Sequence, residues 1–82
     1  MKDLKELLAE KSDMTVDLYE FLKDGKMNLI RILDPGIHIS DEQLHINGLP
    51  GLKLQNLQIR IPYFDFICIQ TPELPNTEIM IF

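Results

Sequence analysis

The sequence predicts an α+β domain: one or two short N-terminal helices, then a mainly antiparallel sheet or small barrel of about five strands. Three observations carry this expectation. Residues 1–26 hold 12 of the 21 charged residues, whereas between Gln43 and Pro72 only Lys53, Arg60 and Asp65 are charged. The apolar spacing changes from helical to alternating near Met27. Turn-forming clusters of Pro, Gly, Asn and Asp then recur at short intervals, too short for crossover helices between parallel strands. The 82 residues suffice for one domain, 1–82, divided into a charged helical segment, 1–25, and a β-rich core, 26–82.

The elements follow in order. Met1, Leu4, Leu7 and Leu8 have i, i+3, i+4 spacing with helix-forming residues between them, which predicts an amphipathic helix over 2–11. Thr15 is placed to cap a second helix in which Leu18, Phe21 and Leu22 share a face and Gly25 terminates. A hairpin turning at Asp24-Gly25 is the rival. With a two-residue turn it sets Asp17 opposite Ile32 and Leu18 opposite Arg31, which mismatches the faces, so the helix is preferred.

From Met27 the run Leu29-Ile30-Arg31-Ile32-Leu33 reads as a strand stopped at Asp34-Pro35-Gly36. Ile37, Ile39, Leu44 and Ile46 alternate with polar residues around Asp41-Glu42, a hairpin with one apolar and one polar face. Leu52 to Ile61 is apolar with a slip of parity between Leu54 and Leu57, which a bulge or tight turn at Gln55-Asn56 corrects. Pro62 ends that run. A strand over Tyr63–Ile69 and a last one over Glu78–Phe82 complete the set.

Composition narrows function. A net charge of −5, without a basic cluster, disfavours binding to nucleic-acid phosphates. No apolar run approaches the roughly 18 residues of a membrane span, and charged residues follow Met1 where a leader would be apolar. The expected location is the cytoplasm. The single cysteine, Cys68, excludes an internal disulfide, and a chain this short gains stability from oligomerisation or a metal instead.

Few residues are arranged for chemistry. In the 37–46 hairpin, His38 lies opposite His45, with Cβ atoms roughly 4.5–5.5 Å apart. Two such imidazoles are candidates for sharing a zinc ion if Asp41 or Glu42 folds back as a further ligand. They also resist joint protonation, so acid loosens any interface that contains them. Cys68, inside Phe66-Ile67-Cys68-Ile69, reads as a buried small hydrophobe and not a nucleophile. No nucleophile elbow, P-loop or dinucleotide-binding glycine pattern occurs. Tyr63-Phe64-Asp65-Phe66 is an aromatic cluster with only Arg60 nearby, which favours packing over base stacking.

The C-terminal strands are apolar on both sides. One helical layer covers one face, so the other face calls for a second copy, with closure into a barrel as the alternative. The expected interface is Tyr63, Phe64, Phe66, Ile79, Met80, Ile81 and Phe82. The expected function is that of a non-enzymatic acidic binding or regulatory protein. It acts as a homo-oligomer on a protein or small ligand, with no cofactor, nucleic acid or membrane. Small inhibitor or sequestering proteins of bacterial viruses have this profile. The alternatives are a structural subunit of a larger assembly and a small metal-dependent enzyme using His38 and His45.

Overall fold

The computed structural model describes residues 3–63 and 66–82. One short helix, α1 (Leu4–Ala9), precedes eight strands: β1 (Val16–Phe21), β2 (Met27–Ile32), β3 (His38–Ser40), β4 (Gln43–His45), β5 (Leu52–Lys53), β6 (Gln58–Tyr63), β7 (Phe66–Gln70) and β8 (Thr77–Ile81). They form a five-stranded sheet in the order β2-β1-β8-β7-β6 and a three-stranded sheet in the order β3-β4-β5. Every pairing is antiparallel. The α+β class stands. The barrel does not: the main sheet is open, with β2 and β6 as its edges.

Helix α1 begins where Asp3 accepts a hydrogen bond from the Glu6 N–H at 2.9 Å. That satisfies one of the four N–H groups a helix start leaves without an internal partner. The helix is shorter than the expected 2–11, and the chain leaves it through Asp13 at φ 53°. Leu4 and Leu8 are buried, as their spacing requires.

The second expected helix is a strand, and the rejected hairpin is the fold. The turn has three residues and not two. The Leu22 N–H donates to the Lys26 carbonyl at 2.7 Å, and the Gly25 N–H to the Leu22 carbonyl at 3.1 Å. Residues 23–25 thus form a three-residue loop that ends in Gly25 at φ 83°, the left-handed position of a G1 bulge. One extra loop residue shifts the register by one, and every side chain changes face. Val16 then opposes Ile32, Asp17 opposes Arg31 and Leu18 opposes Ile30. Like meets like on each face, and the objection to the hairpin disappears.

The core lies against one face of the main sheet. Val16, Ile81 and Ile67 form one row across β1, β8 and β7, and Leu18, Ile79 and Ile69 form the next. All six are buried. Leu4 and Leu8 of α1, with Leu44, Ile46 and Leu52 from the small sheet and its turn, complete the same cluster. Full burial of such aliphatic side chains stabilises by roughly 1.5–3 kcal/mol each.

The run 52–61 divides between the two sheets. A 3-10 turn, Leu54–Asn56, falls where the apolar parity slips and passes the chain from β5 to β6. The expected strand Tyr63–Ile69 is the end of one strand and most of another. β6 pairs with β7, with Tyr63 opposite Phe66. Pro62 does not end the run, because β6 is an edge strand and one of its sides needs no ladder N–H.

Candidate functional site

The second face of the main sheet carries the residues that point away from the core. A single row crosses all five strands there: Arg31, Asp17, Met80, Cys68 and Arg60. Asp17 and Cys68 are buried in it. The Arg31 guanidinium donates to both carboxylate oxygens of Asp17, from Nε at 2.9 Å and Nη2 at 3.0 Å. This two-point geometry is the strong form of an arginine–carboxylate pair. It holds the Asp17 carboxyl below its ordinary range, against the opposing effect of burial. At the other end Arg60 Nη2 lies 3.6 Å from Cys68 Sγ and 3.5 Å from Glu78 Oε1, and Gln70 donates to that same oxygen at 3.1 Å. Long polar side chains thus roof the middle of this face.

The roof stops at the β1–β2 hairpin. Nine large apolar residues are exposed among the described residues, and six of them, Phe21, Leu22, Met27, Leu29, Ile30 and Leu33, lie in residues 21–33. Met27 faces Phe21 and Leu29 faces Tyr19 on the roofed side of the sheet, whereas Ile30 lies on the core side. From Met27 to Arg31 every residue of β2 is exposed.

The backbone of β2 is open as well. In an antiparallel ladder, residues alternate between bonding one neighbour and pointing the other way. The Leu22–Lys26 bond fixes that alternation. Asn28, Ile30 and Ile32 bond to β1, so the N–H and C=O groups of Met27, Leu29 and Arg31 point outward along a free edge. Natural edges are usually blunted by proline, lysine, bulges or shortness. The β6 edge has Pro62 and a register irregularity between Arg60 and Tyr63. The six residues of β2 hold no proline, and their one charged side chain, Arg31, is engaged with Asp17.

The residues singled out from sequence are placed as follows. Ile79 and Ile81 are core and present nothing outward. Met80 is half-buried in the polar row, and Phe66 stacks on Phe82 with ring centroids 5.3 Å apart. The side chain of Tyr63, and Phe64 entirely, lie outside the described residues. Among the described residues the largest share of exposed apolar side chains thus lies on the β1–β2 hairpin, with Phe82 of the expected interface exposed as well. The helix assignment hid it by placing Phe21 and Leu22 on a buried helical face. The signal that reveals it is the charge pair: only a register that sets Asp17 against Arg31 makes the hairpin consistent.

His38 does oppose His45. The rings stack with centroids 4.7 Å apart and planes 13° from parallel. Nδ1 of His38 donates to the Gly36 carbonyl at 3.0 Å, and Nε2 of His45 to the Ser40 carbonyl at 3.2 Å. The two imidazoles thus face each other in nearly parallel planes. Among the described residues no group of three or more His, Cys, Asp or Glu side chains is placed to hold a metal. No helix among them is long and apolar enough to cross a membrane. A groove of about 580 Å³ opens beside Met14, Leu33 and Ile37 and is lined also by Asp13, Thr15 and Asp34. No protein-family model matches the chain, and no curated protein or solved structure matches it.

Proposed function

We propose that this chain is a small non-catalytic binding protein that works as a homo-oligomer and docks on a protein or small ligand through apolar surface. The observation that carries this reading is the β1–β2 hairpin, where exposed apolar side chains and unpaired strand backbone coincide. A contiguous apolar patch with an open strand edge marks an interaction surface or an aggregation hazard. A net charge of −5 opposes the second outcome, which favours reading the patch as an interaction surface. Asp17 is engaged with Arg31, Glu78 with Gln70, and His38 and His45 with backbone carbonyls.

Light scattering across a concentration series tests the oligomer, which is expected to exceed the monomer mass of 9.5 kDa. A monodisperse monomer throughout contradicts it. Native affinity capture followed by mass spectrometry then identifies what the oligomer carries. Elemental analysis that found one equivalent of a transition metal per chain would revive the metal-enzyme alternative.

A further inference from the structure

We propose that the free edge of β2 is completed by β2 of a second copy, paired antiparallel about a two-fold axis at Ile30, which joins the two five-stranded sheets into one. This deepens the homo-oligomer reading above and rests on it.

The occupant must satisfy three features at once. β2 exposes apolar side chains on both faces of the sheet, Leu29 on one and Ile30 on the other. It also exposes the backbone groups of Met27, Leu29 and Arg31. A helix or sheet laid on one face leaves the other face and the backbone wet. Only a strand added in the plane of the sheet meets all three, and it must itself be apolar on both sides. A second β2 is such a strand.

Charge selects the second copy and its register. Lys26 precedes β2 and Asp34 follows it by two residues, so the segment 26–34 is positive at one end and negative at the other. Paired with itself about Ile30, it sets Lys26 against Asp34, Met27 against Leu33, Asn28 against Ile32 and Leu29 against Arg31, with Ile30 meeting Ile30. Leu33, 73% exposed in the single chain, is covered by a methionine. Lys26 is held only by Asp24 at 3.9 Å, both side chains largely in water, and is free to re-pair. Arg31 stays on its own Asp17. Neighbouring registers fail. An axis at Leu29 brings Asp34 against Asp24, and an axis at Arg31 sets the two arginines face to face. An axis between residues opposes the two faces of the sheets.

Sedimentation of four proteins tests this, with circular dichroism confirming that each is folded. The natural chain is expected to form a concentration-dependent dimer. Ile30→Lys alters a half-exposed edge side chain and sets two like charges opposite each other; its dimer Kd is expected to rise about tenfold or more. Lys26→Asp and Asp34→Lys alone each create two like-charge pairs and weaken the dimer about threefold to tenfold. Mixed together they re-create both opposite pairs and form a heterodimer in preference to either homodimer, which loss of folding does not mimic. A dimer that Ile30→Lys leaves unchanged overturns this interface while the homo-oligomer reading stands. A natural chain that stays monomeric overturns both. Single swaps without effect, and no heterodimer preference, overturn the register.

Discussion

Asp17 is the residue on which the hairpin turns. A carboxylate buried in a sheet face is tolerated because Arg31 meets both its oxygens, and that pairing exists in one register only. Its carboxyl is held below the ordinary value of about 3.9, so the unfolded chain takes up its proton first as pH falls. The pair therefore stabilises fully above that value, and its contribution is lost as pH drops through the lower folded value. Urea unfolding of the natural chain and of Asp17→Asn, compared from pH 7 to pH 2, is expected to show the gap between them narrowing below about pH 4. A constant gap contradicts the ionic contribution. Ile79 is a different kind of residue, fully buried in the middle of the Leu18-Ile79-Ile69 row. Ile79→Ala is expected to lose about 2–5 kcal/mol in the same assay, because the sheet cannot collapse into the space left. Both roles were partly readable: alternation marked Ile79 and Ile81 as strand residues. Which of their two sides was core was not readable, because Met80 and Phe82 are equally apolar.

Single elements were legible where turn chemistry and alternation agreed. The 37–46 hairpin has the predicted register, with His38 opposite His45, because a two-residue turn leaves one choice of pairing. That turn is strained. Asp41 and Glu42 both have positive φ, 52° and 58°, as a type I′ turn requires, and glutamate is ill-suited to it. Glu42→Gly is expected to raise stability by about 0.5 kcal/mol, the left-handed penalty relieved less the entropy that glycine adds. No rise in Tm contradicts this. Gly36 is the converse case. It sits at φ 54°, and a Cβ there would come within 2.7 Å of Asn47 Nδ2. That amide bonds the Asp34 carbonyl, so Gly36→Ala is expected to destabilise by about 1 kcal/mol or more, seen in chemical unfolding. The element misread from sequence was β1. Leu18, Phe21 and Leu22 have helical spacing, and Thr15 and Gly25 supply plausible caps. Local signals therefore favoured a helix, and the pairing of β1 with both β2 and β8 overrode them.

At the scale of the whole molecule, β8 is the keystone. It enters the sheet between β1 and β7, so the last strand of the chain lies at the centre, flanked by the first and by the one before it. Removal of residues 78–82 is expected to abolish cooperative unfolding, because β1 and β7 then have no common partner. A truncated chain with a sharp melt contradicts this. Hydrogen exchange is expected to grade outward from β8. Inward-bonded amides of β1, β7 and β8 exchange slowest, while those of Leu29 and Arg31 exchange fast at low concentration and slow down on dimerisation.

Alternation, turn residues and charge distribution by themselves determined the class, the 37–46 hairpin and the break at Leu54–Asn56. These depend on neighbours a few residues apart, and each local signal has one structural answer. Only the tertiary structure decided the rest. It set the order of strands, the one-residue shift that made 15–32 a hairpin, and the side of the C-terminal strands that is core. It thereby put exposed apolar side chains on β2. The place of β1 beside β8 rests on contacts between distant segments, such as Val16 with Ile81, whose energy no local pattern records, and the hairpin register rests on the three-residue loop at 23–25.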